Sequence, residues 1–230
     1  GRERPPPRPA PRGRHRPRQP ANAMTPDNPF LQALLAQPDE DTLRLAMADW
    51  FEENDQPARA EFVRVQVELA RGVPDRDRKR ELELRQRDLL MAHDGAWVAP
   101  LAKVLQCKPG EWGGWVFRRG FVEYFNLPAD VINEHGANLA ALTPVRELLL
   151  RPCGPVGVVS LCRQPWIGSL THLYLEDVRM TADACNAMLD CPYFGSLRVL
   201  RVGGFTANAA GTAEAEFRER FGAALDAGKG

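Results

Sequence analysis

Along the first third of the chain, apolar side chains recur every three or four positions, the spacing that places them on one face of a helix. Phe30, Leu31, Leu34 and Leu35 form the first such stripe. Asn28 before Pro29 supplies its N-cap, and a proline at the first helical position gives up an N–H that would have no helical partner. Leu43, Leu45, Ala46, Met47, Trp50 and Phe51 form a second stripe, preceded by Asp39, Glu40 and Asp41, where the helix dipole favours acids. After a break at Asn54-Asp55-Gln56-Pro57, a third stripe of Ala60, Phe62, Val63, Val67 and Leu69 runs to a stop at Gly72. Residues 75–92 alternate in charge and place only Leu82, Leu89 and Leu90 on an apolar face. This predicts a mostly solvated helix laced by i,i+4 pairs. Trp97, after His93-Asp94-Gly95, reads as a core anchor, and Asp49, Glu52 and Glu53 as ordinary acids on a helix surface.

The second half carries a different pattern, repeated. Leu142-x-x-Val145-x-x-Leu148-x-Leu150-x-x-Cys153 returns 25 residues later as Ile167-x-x-Leu170-x-x-Leu173-x-Leu175-x-x-Val178, and after 27 more as Phe194-x-x-Leu197-x-x-Leu200-x-Val202. A degenerate first copy, Val122-x-Tyr124-x-x-Leu127, lies 26 residues ahead of Leu148-x-Leu150-x-x-Cys153. Such a period is the signature of stacked units, each a short strand whose alternate residues point inward, and none able to bury its apolar face alone. Helices fill the gaps at residues 128–140, 155–164 and 181–189, the last with Thr181 as N-cap. A final helix at 213–225, with Phe217, Phe221 and Leu225 on one face, covers the open end of the stack.

The run from Phe30 to Asn54, FLQALLAQPDEDTLRLAMADWFEEN, resembles the repeat-companion domain of planctomycete bacteria. Its continuation from Pro57, PARAEFVRVQVELAR, and Arg118-Arg119-Gly120-Phe121-Val122-Glu123 carry the same resemblance, which covers most of residues 28–127. Asn54-Asp55 departs from the Asn-Gly or Gly-Asp expected in relatives. The resemblance implies a helical module followed by leucine-rich-repeat-like units, and no activity. The expected fold is therefore α/β (α+β overall). Residues 1–23 form a Pro/Arg-rich tail, 24–110 the helical module, and 111–230 a short leucine-rich-repeat-like stack of parallel strands and helices with a terminal cap.

Composition adds little until its distribution is examined. Thirty basic residues balance thirty acidic ones. Residues 1–23, however, hold seven arginines, seven prolines and one acid, so the remainder of the chain is net −6. A segment without Leu, Ile, Val or aromatic residues cannot offset its ordering entropy, so disorder is expected there. It is the only nucleic-acid-binding candidate, acting through phosphate contacts, and the alternative, that it is upstream sequence with no task, is preferred because the folding sequence starts at Met24. The five cysteines, Cys107, Cys153, Cys162, Cys185 and Cys191, lack a C-x-x-C pair and fit free thiols in a reducing, cytoplasmic setting. Zinc bound by Cys185, Cys191 and His172 matches no common ligand spacing. No P-loop, dinucleotide glycine pattern, G-x-S-x-G or H-E-x-x-H occurs, so no catalytic residue, cofactor, metal or small-molecule substrate is expected and an unrecognised enzyme is the outside alternative.

The expected function is to bind a protein partner on the concave face of the repeats. Its central column would be Glu123, Leu149, Tyr174 and Arg201, flanked by Phe121, Glu147, His172 and Val199 on one side and Phe125, Arg151, Glu176 and Gly203 on the other. Apolar groups ringed by Arg and Glu have the composition of a protein-binding patch. The competing expectation for Phe121 and Phe125 is that the amino-terminal helices, or Trp112 and Trp115, cover them.

Overall fold

In the computed structural model, residues 25–106, 114–209 and 211–227 are described. Asn28 Oδ1 accepts from the backbone N–H groups of Phe30 and Leu31 at 2.9 and 3.1 Å, and helix α1 (Pro29–Ala36) starts where the cap predicts. Helices α2 (Asp41–Glu53) and α3 (Pro57–Arg71) follow, α3 ending at Gly72 with φ 86°. Their stripes bury Leu34, Met47, Phe51, Ala60, Val63 and Val67 together. Helix α4 (Arg76–Val104) extends well beyond the expected end at residue 92, through Gly95 and Pro100. Val98, Leu101 and Ala102 carry its apolar face onward into the core, and that burial overrides the breaking tendency of proline. Pro100 deprives Ala96 C=O of its usual donor, and Ala96 lies on the exposed side of the helix.

A strand absent from the sequence-based expectation, β1 (Gly114–Arg118), then pairs antiparallel with β2 (Phe121–Leu127). Three strands add in sequence order, β3 (Glu147–Leu150), β4 (His172–Leu175) and β5 (Val199–Val202), each parallel to the one before. After each parallel strand comes a helix: α5 (Ala129–Ala140), α6 (Pro155–Leu161), α7 (Ala182–Asp190) and α8 (Thr212–Ala227), each packed on the next. Leu148, Leu150, Leu173, Leu175 and Leu200 are fully buried on the helix side, each contributing roughly 1.5–3 kcal/mol. The intervening residues look out from the opposite, open face. Phe217 and Phe221 of α8 close the far end of the core, and Arg220 Nη2 donates to Cys191 C=O at 2.8 Å.

The three strong copies pair as their spacing predicts, Leu148 beside Leu173 beside Leu200. The degenerate copy does not. Phe125 and Leu127, rather than Val122 and Tyr124, stand beside Leu148 and Leu150, a slip of three residues. The β1–β2 ladder carries a bulge there: Val116 pairs with Tyr124 and Phe117 with Val122, so Glu123 is the extra residue, and the inward alternation of β2 changes phase across it. The hairpin turn itself is two residues, Arg119 (φ 47°) and Gly120 (φ 93°), the left-handed pair of a tight hairpin. At Gly120 a Cβ would lie 3.0 Å from Val63 Cα, so α3 rests directly on the turn. Gln66 Oε1 accepts from Gly120 N–H at 2.6 Å.

Two buried arginines join helices to sheet. Arg44, on α2, is fully buried. Its Nη1 donates to Arg118 C=O and Arg119 C=O at 3.3 and 3.2 Å, and its Nη2 to Pro38 C=O and, at 2.6 Å, to Glu123 Oε1. Burial lowers the Arg44 guanidinium and raises the Glu123 carboxyl from their ordinary ranges; their mutual attraction opposes both shifts. Arg59, on α3, sits among the rings of Phe51, Phe62, Trp97, Phe117 and Phe121, 4.7–5.8 Å from their centroids. Burial pushes it down to about 9, with Asp94 opposing, so it stays cationic at neutral pH and is held by ring quadrupoles.

Arg44→Met removes a donor from the Arg118 and Arg119 carbonyls and leaves the buried Glu123 carboxylate only its 3.7 Å contact with Arg119, so urea denaturation should show a loss of about 3–5 kcal/mol. Adding Glu123→Gln to that variant should recover about 1–2 kcal/mol, because no buried carboxylate is then left without its cation; a further loss would refute the pairing. Arg59→Met should stay within about 1 kcal/mol of wild type while Arg59→Ala costs about 3 kcal/mol by opening a cavity. Equal damage from both would mean that ring–cation attraction, not packing, dominates there.

Candidate functional site

Strand alternation puts two rows of side chains on the open face. One row runs Tyr124, Glu147, His172, Val199; the other runs Asn126, Leu149, Tyr174, Arg201. Leu149, Tyr174 and Arg201 thus form the column that the repeat spacing predicts, with Glu147 and His172 beside them. Arg151 and Glu176 follow β3 and β4 and pair with each other at 3.2 Å. Glu123 does not belong to this face. The bulge and the Arg44 pairing bury it, and Asn126 takes its predicted place beside Leu149. Phe121 and Phe125 are covered as well, Phe121 by Phe51 and Val63, Phe125 within the core under the helices. Trp115 packs against the core, where its Nε1 donates to Asp94 Oδ1 at 2.9 Å; Trp112 and Cys107 lie outside the described residues.

Three residues of the face escaped sequence reasoning: Tyr124, Arg118 and the exposed Val116. The alternation Trp115-Val116-Phe117-Arg118 ahead of Arg119-Gly120 was the available signal, a strand running into a two-residue turn. Arg118 grips Glu147 through two bonds, Nε to Oε1 at 2.9 Å and Nη2 to Oε2 at 3.0 Å. The Arg201 guanidinium lies 5.7 Å from the Tyr174 ring centroid, and His172 stacks beside Tyr174 at 6.3 Å.

One polar contact on this face fixes the position of the imidazole. Thr171 Oγ1 lies 3.1 Å from Arg146 C=O and shares a hydrogen bond of 2.9 Å with His172 Nδ1, which leaves the imidazole Nε2 free to meet a ligand. Burial is the main cause lowering the His172 pKa; Glu147 opposes it, while Arg118, Arg198 and Arg146 add to it. Burial likewise raises the Tyr124 and Tyr174 hydroxyls, which remain donors at neutral pH. The face therefore offers two phenolic donors, an imidazole, an aliphatic centre and arginines already seated on acids or rings.

The cysteines stand elsewhere. Cys153, Cys162, Cys185 and Cys191 are buried on the helix side, away from His172. Burial raises the Cys153 and Cys162 thiols to about 11 and about 12, which keeps them protonated and unreactive. Asp49 and Glu52 are bridged by Arg64 at 2.7 and 2.5 Å as an exposed pair of ion contacts. Among the described residues no three His, Cys, Asp or Glu converge as a metal site, and no helix is long and apolar enough to cross a membrane. Compared with protein-family models, curated proteins and solved structures, the chain matches none.

A depressed imidazole pKa means that the unfolded chain binds the proton more tightly, so the His172 contribution to stability is complete above about 6.5 and is lost as pH falls through the folded value. An NMR titration should place His172 below 6.5. Arg198→Ala should raise it and Glu147→Gln lower it further; the opposite order would refute the assigned charges.

Proposed function

We propose that this chain is a protein-interaction module that binds its partner on the open face of the sheet. The carrying observation is the half-exposed cluster of Tyr124, Leu149, His172 and Tyr174, flanked by Arg118–Glu147 and Arg151–Glu176. Tyrosine and arginine are enriched among the residues that dominate interface energetics, tyrosine because it buries much area with two torsions to freeze and arginine because its planar fork presents several donors at once. Here the flanking acids are already neutralised by arginines, so a partner covers ion pairs rather than stranded charges.

The same reading extends to the architecture. Strands added in sequence order at a 25–27 residue period, each followed by a helix, support a leucine-rich-repeat-like stack. The resemblance of residues 28–127 to the repeat-companion domain supports a helical module that seals the first end of that stack. In this reading the helices anchor and the strands recognise.

The test is a crosslinked pull-down from source-cell lysate with the full chain, the captured partner then being purified and its Kd measured. Tyr174→Ala should weaken that partner about thirtyfold, the effect of roughly 2 kcal/mol at a central tyrosine. The triple variant Leu149→Asp, Tyr174→Ala, Arg201→Glu should abolish binding while its urea transition confirms folding. A partner retained by the folded triple variant would move the binding site off this face.

A further inference from the structure

Immediately before the paired starts of β3, β4 and β5 (Glu147, His172 and Val199) come Arg146, Thr171 and Arg198, one column at the lower edge of the sheet. The two arginines occupy equivalent positions two strands apart, about 10 Å at the usual strand spacing. Their surroundings differ in one respect. Arg146 has an acid: its Nη2 meets Asp39 Oδ2 at 3.0 Å and Oδ1 at 3.4 Å, and its Nη1 donates to Ser169 C=O at 2.8 Å. That aspartate comes from the connection between α1 and α2, which reaches under the sheet only as far as β3. Arg198 is exposed, and among the described residues its side chain makes no hydrogen bond or salt bridge.

Between them lies a cleft of about 500 Å³. Leu35, Ala36, Pro38 and Leu197 give it an apolar wall, and the repeated turns Gly168-Ser169 and Gly195-Ser196 form its floor. Asp39 pairs with Arg146 and also lies 3.5 Å from Arg119, so the cleft is net positive, and of the two arginines that line it Arg198 is the one without an acid. One guanidinium fork matches one carboxylate in a bidentate arrangement. The apolar wall suits the carbon skeleton that carries it. The cleft also adjoins the proposed docking face, since Thr171 lines one and the next residue, His172, stands on the other.

We infer that this cleft is a carboxylate-binding subsite, in which Arg198 receives from the partner the acidic group that Asp39 supplies to Arg146. This rests on the protein-interaction reading above. It specifies the partner's chemistry: a segment whose acidic side chain or terminal carboxylate is carried by apolar groups and enters the cleft below the strands.

The experiment is an NMR titration of the ¹⁵N-labelled full chain at constant ionic strength. The probes are hexanoate, uncharged hexanamide and inorganic phosphate. Hexanoate should shift the amides of Thr171, Gly195, Ser196 and Arg198 saturably, with a Kd of about 1–10 mM for so small a ligand. Hexanamide should leave them unmoved. Arg198→Ala should weaken hexanoate at least tenfold and Arg198→Lys less. The inference is overturned if hexanoate moves none of these amides, if Arg198→Ala binds it equally well, or if phosphate binds more tightly than hexanoate, which would identify a phosphate site without use for the apolar wall. The Leu149, Tyr174 and Arg201 variant should bind hexanoate unchanged. Failure of the docking face and failure of the subsite are therefore read separately.

Discussion

A guanidinium with no access to solvent needs partners from the protein, and the two terminal nitrogens of Arg44 find theirs in three separate parts of the chain, while its Nε is buried without one. It holds the carbonyl of Pro38 between α1 and α2, two carbonyls of the β1–β2 turn, and the carboxylate of Glu123 on β2. These partners lie up to 79 residues away in sequence. The contact thus fixes where the helices meet the sheet. Arg119, in a left-handed conformation that L-residues enter at a cost of about 1–2 kcal/mol, is steadied by Asp39, Asp41 and Glu123 within 3.7 Å. Arg44 and Arg119, with Arg71 and Arg146 at the margins, share Asp39, Asp41 and Glu123 in one knot of charges, and a knot of this kind specifies an arrangement more than it stabilises one.

The knot also explains which parts of the structure were legible in sequence. Helices α1 to α3 and the repeat from β3 to β5 were readable because period and burial agree: every Leu-x-Leu pair that spacing placed inward is buried. The register of β2 was not, because its alternation changes phase at a bulge, and the bulged Glu123 belongs to a charge pair whose members lie far apart in the chain. Glu123 carries no local mark that distinguishes a buried, paired acid from an exposed one. The second half of α4 was hidden for the opposite reason. Gly95 and Pro100 announce a break, and only the burial of Val98 and Leu101 against distant elements cancels it.

The open face was readable to the extent that it belongs to the regular units. Leu149, Tyr174 and Arg201 align because their strands share one spacing, whereas Tyr124, Val116 and Arg118 belong to the irregular hairpin end and needed the structure to place them. The face that results is unusual in its charge economy. Most of its arginines are already committed to acids or rings, so long-range attraction contributes little, and discrimination among partners falls to shape, to the phenolic donors and to the imidazole.

The strict sequence order of the parallel strands has a consequence for how such a chain can change over generations. Because each strand–helix unit touches little beyond its neighbours, a unit of 25–27 residues inserted between β4 and β5 would be received by surfaces that already accept one another. The hairpin end would keep its knot of charges and the other end its terminal helix, while the recognition surface grew by one strand's width. Length is thus a property that this architecture can vary by whole units, with its ends held constant.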